Sequence, residues 1–137
     1  MVSVLLDTNV VIDYLAENRP GHGDAVALVR VLVLGGIGLH IAATSLKDVY
    51  YIVTRTHGEV LARQAISCLS ADMTVIAIDA ELCARALASN EPDFEDGLIR
   101  ECAIASGAQW IVTRDVKAFL HSPVPTITPR QLLDRLG

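Results

Sequence analysis

Short apolar runs alternate with longer stretches whose apolar residues recur at helical spacing. Val2 to Leu6 is such a run and stops at Asp7-Thr8-Asn9, the pattern of a buried strand feeding a turn. A helix is predicted from about Val10 to Glu17. Arg19-Pro20-Gly21-His22-Gly23 breaks the chain, and Asp24 to Leu34 reads as a second helix, with Asp24 near its N-terminus and Gly35-Gly36 past its end. Gly38 to Ala42 is the second strand. Thr44 or Ser45 is placed to cap a helix running through Tyr51 to about Arg55, and Glu59 to Leu69 forms another.

Met73 to Ile78 is the third predicted strand, and Asp79 caps a helix from Ala80 to about Ala88. After the loop Ser89-Asn90-Glu91-Pro92, Asp93 begins a helix that ends near Gly107. Trp110 to Thr113 is a fourth strand, followed by a helical turn through Phe119. Pro123 to Ile127, flanked by prolines, suits an edge strand, and Thr128-Pro129 supplies an N-cap and a first-turn proline for a last helix to Leu136. Parallel strands need crossover helices, so this order predicts an α/β fold with a mainly parallel five-stranded sheet flanked by helices.

Composition narrows the picture. The 137 residues fit one domain, and a 52% hydrophobic content with only 4% aromatics suits aliphatic strands covered on both faces by helices. Val2 to Leu6 and Val26 to Leu34 are too short for a membrane span, so a soluble cytoplasmic protein with no membrane partner is expected. Cys68, Cys83 and Cys102 are odd in number and far apart, which supports neither a disulfide framework nor a zinc knuckle and leaves reduced core thiols on helices. A net charge of -5 argues against a broad basic surface for nucleic acid. An enzyme that brings its own cations to phosphate would instead concentrate carboxylates.

The ligand crevice of an open parallel sheet lies beyond the C-terminal ends of its strands, and that rule selects four acids. Asp7 follows the first strand, Asp48 stands one turn after the second, Asp96 lies in the first turn of the helix leading to the fourth, and Asp115 follows the fourth by two residues. Each has a plainer reading: Asp7 and Asp115 as helix N-caps, Asp48 and Asp96 in capping-box-like pairs with Ser45 and Asp93. Together in one crevice they would repel one another and raise their own pKa values unless cations were bound. Oxygen-only ligands point to Mg2+ or Mn2+ rather than zinc. His22, His40, His57 and His121 show no ligand spacing and are assigned to the surface or loops. Neighbouring Tyr50 and Tyr51 must face different ways on a helix, so at least one is assigned to the core. Arg55, Arg100 and Arg114 are candidates for phosphate contact or for pairing with acids.

Leu5-Leu6-Asp7-Thr8-Asn9-Val10, Asp93-Phe94-Glu95-Asp96-Gly97-Leu98-Ile99 and Ile111-Val112-Thr113-Arg114-Asp115 resemble the three signature segments of PIN domains, in order and across nearly the whole chain. Val124-Pro125-Thr126-Ile127-Thr128-Pro129 is similar to the tail of a subgroup found as stand-alone nucleases and as VapC-like toxins. The resemblance implies a single PIN domain over residues 1–137, a three-layer fold, and a metal-dependent endoribonuclease using Mg2+ or Mn2+. It places Asp7, Asp48, Asp96 and Asp115 at the acidic quartet, with Asp7, Asp96 and Asp115 on the metal. Asp48 departs from the Glu common at that position and is one methylene shorter. Asn9, Asp93 and Thr113 take supporting places. RNA is the implied substrate, a homodimer the implied assembly, and a cognate antitoxin the implied partner of a toxin, one that inserts Arg or Lys into the crevice.

Other classes fit less well. A haloacid dehalogenase-type phosphotransferase needs a second Asp where Asn9 stands, and a dinucleotide-binding domain needs a Gly-rich turn that Asp-Thr-Asn does not supply. A catalytically silent PIN-like module that binds protein or RNA is the remaining alternative.

Overall fold

The computed structural model describes residues 1–137. Its first strand, Ser3–Leu6 (β1), is buried at every position, as expected of a central strand with helices on both sides. Successive side chains point to opposite faces. Val4 and Leu6 enter a core shared with Val10, Leu28, Leu32, Val49, Leu69 and Leu132, whereas Leu5 enters a second core with Leu82, Leu98, Ile99, Cys102, Ile111 and Phe119.

The helices sort accordingly. Thr8–Leu15 (α1), His22–Leu34 (α2), Ala43–His57 (α3), Glu59–Asp72 (α4) and Pro129–Leu136 (α7) cover the first face, and Ala80–Ala88 (α5) and Phe94–Ser106 (α6) the second. The remaining strands are Gly38–Ala42 (β2), Thr74–Ile76 (β3), Ile111–Val112 (β4) and Thr126–Ile127 (β5). All five are parallel in the order β3-β2-β1-β4-β5. The sheet therefore grows one way from β1 through β2 and β3, then crosses back to add β4 and β5 on the other side. β1 and β4 flank the point where the order reverses, in the register Leu5 to Ile111 and Leu6 to Val112.

The three-layer α/β fold agrees with expectation, and the differences are local. α2 begins at His22 rather than Asp24, which lies in its first turn. α3 begins at Ala43, so neither Thr44 nor Ser45 caps it; Ser45 is fully buried and its hydroxyl meets that of Thr8 at 2.8 Å. β4 has two residues where four were predicted; Trp110 and Thr113 flank it and join the ladder through single backbone bonds, the Trp110 carbonyl accepting from Leu5 (2.9 Å) and the Thr113 N–H donating to Ile127 (3.0 Å). Cys68 is exposed on α4, not in the core. No helix is long and apolar enough to cross a membrane.

Candidate functional site

The end of β1 sets the site. The Asp7 N–H donates to the Val112 carbonyl (2.9 Å), continuing the β1–β4 ladder one residue past the strand. The chain then turns into α1, and Asp7 is the N-cap of that helix. Its Oδ1 accepts from the Thr8 N–H at 2.8 Å. Its Oδ2 accepts from the Thr113 hydroxyl, also at 2.8 Å. Thr113 is fully buried, and its oxygen in turn accepts from the Asp115 N–H at 3.0 Å. Asn9 Oδ1 accepts from the Arg114 N–H (3.3 Å). Capping and crevice roles thus coexist in Asp7, since a carboxylate oxygen that accepts one hydrogen bond keeps a lone pair for another partner.

The other carboxylates arrive on helices. Asp93 caps α6 by accepting from the Asp96 N–H at 2.8 Å, which turns Asp96 into the first turn of the helix. On α3, Thr44, Lys47, Asp48 and Tyr51 share one face through their helical spacing. Asp7, Asp48 and Asp96 line one cavity of about 700 Å³, together with Asn9, Arg19, Thr44, Lys47, Tyr51 and Glu95. Asp115 stands outside that lining, but its charge acts on both Asp7 and Asp96.

Burial raises the pKa of Asp7, with Asp115 adding to the effect and the hydrogen bonds from Thr113 and Thr8 opposing it. Asp96 is pushed up to about 6, by burial first and then by the charges of Asp93, Asp7 and Asp115. Such a field favours a cation, and a donor set of carboxylate oxygens alone fits a hard divalent ion. As the side chains stand, no three Asp, Glu, His or Cys converge closely enough to hold an ion between them.

Several residues differ from their predicted roles. Tyr50 and Tyr51 are both exposed: the Tyr51 ring lies under the Arg55 guanidinium at 5.3 Å, and the Tyr50 hydroxyl donates to Glu59. Exposure of both is possible because α3 lies at the molecular surface with only a narrow inner stripe. His40 belongs to strand β2, where burial lowers its pKa, and His22 opens α2 with Nδ1 2.8 Å from the Asp13 carbonyl. Arg100 lies against Glu91 and Glu101. Arg19, Lys47 and Glu95 were missed in the crevice, as was the buried Asp13 beside it. The signal for Asp13 was there: one charge inside the apolar run Val10 to Leu15.

Fold and site together define a doubly wound α/β domain with a carboxylate-lined crevice at its switch point. The chain belongs to the PIN domain family, whose sequence profile matches residues 3–117. Its fold is similar to that of VapBC2 from Rickettsia felis bound to a promoter DNA fragment (TM-score 0.69, 16% identity, covering 93% of this chain and 98% of that one). It is also similar to a toxin–antitoxin complex from Klebsiella pneumoniae (TM-score 0.69, 23% identity, 92% and 97% covered). A third similar structure is VapC20 from Mycobacterium tuberculosis, described as a sarcin–ricin loop cleaving toxin (TM-score 0.66, 19% identity, 82% and 89% covered). No curated protein sequence matches this chain significantly.

Proposed function

We propose that this protein is a Mg2+- or Mn2+-dependent endoribonuclease of the VapC type, the toxin of a toxin–antitoxin pair. The observation that carries the reading is the meeting of Asp7, Asp48 and Asp96, from separate elements, in one crevice where burial and mutual repulsion raise the pKa values of Asp7 and Asp96. Family membership and the likeness to toxin–antitoxin structures support it.

On this reading Asp7, Asp96 and Asp115 hold the cation and Asp48 assists. Bound there, the ion supplies positive charge to the scissile phosphate and eases loss of a proton from the attacking water. Thr8 and Thr113 keep the Asp7 carboxylate oriented by donating to its two oxygens, and Asn9 holds the backbone of Arg114 beside it. Asp93 positions Asp96 through the helix cap. Asp96 must shed its proton to take part, so cation binding and proton release are coupled.

Asp7→Asn keeps the shape and removes the charge. RNA cleavage by this variant should collapse while circular dichroism stays native, and excess EDTA should silence the parent protein. Undiminished cleavage in either case would overturn the carboxylate–cation mechanism. The silent-module alternative draws on the lack of three converged ligands; it predicts no metal-dependent cleavage by the parent protein. As a toxin, the chain should be bound and inhibited by a small protein encoded next to it, which inserts Arg or Lys into the crevice. A purified neighbouring gene product that neither binds nor inhibits it would remove the toxin assignment.

A further inference from the structure

A second charged cluster stands beside the carboxylates. Asp13 lies on the inner face of α1 and is 1% exposed. A carboxylate withdrawn from water is costly unless it is paired, and Asp13 is paired twice. Its Oδ1 accepts from Arg19 Nε at 2.7 Å, and its Oδ2 lies 2.8 Å from Arg114 Nε. The two arginines come from distant parts of the chain, the loop after α1 and the segment after β4.

The loop is closed over this pair. A Cβ on Gly21 would collide with Asp13 Oδ2, and His22 Nδ1 meets the Asp13 carbonyl at 2.8 Å. One arginine would suffice to neutralise one carboxylate. The second, and the way both are engaged, says more. Each guanidinium meets Asp13 through Nε, and each side chain stays partly exposed, at 35% for Arg19 and 44% for Arg114. An arginine has five N–H donors in a planar fork, so the Nη groups of both remain for an outside acceptor. Arg19 lines the acidic crevice, and the charge of Arg114 acts on Asp7.

We propose that Asp13 aims Arg19 and Arg114 as a paired clamp for the RNA backbone phosphates that flank the scissile bond. The clamp rests on the ribonuclease reading and deepens it. A chain of net charge -5 with an acidic crevice floor repels RNA, so fixed guanidinium groups at the rim are where backbone phosphate can be held. Asp13 is a positioning residue; the arginines touch the substrate.

The experiment is steady-state cleavage of a single-stranded RNA in Mg2+ at several salt concentrations, with thermal unfolding to confirm the fold. Arg19→Gln and Arg114→Gln should each raise KM roughly tenfold, change kcat little, and reduce the salt dependence of log KM by about 0.7 per lost phosphate contact. Arg19→Lys should not restore KM, because an ammonium drawn to Asp13 presents no second nitrogen to the phosphate. Gly21→Ala keeps every charge but displaces the Asp13 carboxylate, and should also raise KM. Unchanged KM and salt slope in both Gln variants would reduce the cluster to a structural ion pair. Full rescue by Lys with a neutral Gly21→Ala would leave charge without aiming, and also overturn the proposal. Either outcome with a parent protein that cleaves RNA leaves the ribonuclease reading intact; a parent protein that cleaves no RNA defeats both.

Discussion

Thr113 ties the two sides of the crevice together with one hydroxyl. It donates to Asp7 and accepts from the backbone of Asp115, so the end of β4 reports directly on the end of β1. Thr113→Val keeps the shape and removes both bonds. A buried charge that loses a donor is expensive, so we expect a loss of about 1–3 kcal/mol in urea unfolding, together with weaker cleavage. An unchanged midpoint would mean that water replaces the hydroxyl. The carboxylates also set a pH dependence. In the cation-free protein, Asp7 and Asp96 keep protons in the folded state at pH values where an unfolded carboxyl near 3.8 has lost them. The folded chain then binds more protons than the unfolded one, so the contribution of both groups to stability declines with rising pH; that of Asp96 declines from about pH 4 to about 6 and is level above that. Urea midpoints in EDTA across this window should fall less steeply with rising pH for Asp96→Asn than for the parent protein. Equal slopes would contradict the raised pKa of Asp96.

At the scale of elements, α5 and α6 approach closely at Gly97. A Cβ there would stand 2.7 Å from the Ala86 carbonyl oxygen and 2.9 Å from Ser89 Oγ. Alanine is the better helix former, yet Gly97→Ala should destabilise by about 1–3 kcal/mol because backbone must move to admit the methyl. A stabilised variant in thermal unfolding would show that the helices separate freely. Element-level reading of the sequence succeeded where a local rule was also the global one. Asp79, Asp93 and Thr128 cap the helices they precede, and Thr128 forms a full capping box with Gln131. It failed at α3, where Thr44 and Ser45 look like caps but the helix starts earlier. The Ser45 hydroxyl instead meets Thr8 across 37 residues, and Thr44 lines the crevice. No local pattern contains a partner that distant.

For the whole molecule, the strand number and parallel sense followed from βα alternation and short aliphatic runs, because parallel neighbours need crossovers, whereas the order β3-β2-β1-β4-β5 emerges only in the folded chain. The candidate acids were legible from the same pattern: Asp7, Asp48 and Asp115 each follow a strand within two turns, and Asp96 opens the helix that leads to β4. The basic side chains around them were not, since Arg19 and Lys47 reach the crevice through side-chain length and loop path, which periodicity does not encode. Assembly remains an expectation from the sequence. Leu34, Val60, Leu87 and Leu120 are each more than 70% exposed but come from elements on both faces of the sheet, so the expectation rests on the family resemblance rather than on one apolar patch. Sedimentation should give about twice the 14.7 kDa monomer at micromolar concentration; a monomer alone would reject the dimer.

The pairing of β1 with β4 has a consequence for a chain still being made. Asp7 leaves the ribosome 106 residues ahead of the hydroxyl that orients it, which follows directly on the fourth of the five strands. A nascent chain ending before Thr113 carries every residue that lines the cavity, but neither the hydroxyl that orients Asp7 nor Asp115. At roughly 5–20 residues per second, synthesis runs for several seconds between Asp7 and the residue that completes its site. On the proposed reading, this toxin is harmless over that stretch of its translation, and an inhibitor made alongside it has that interval in which to accumulate.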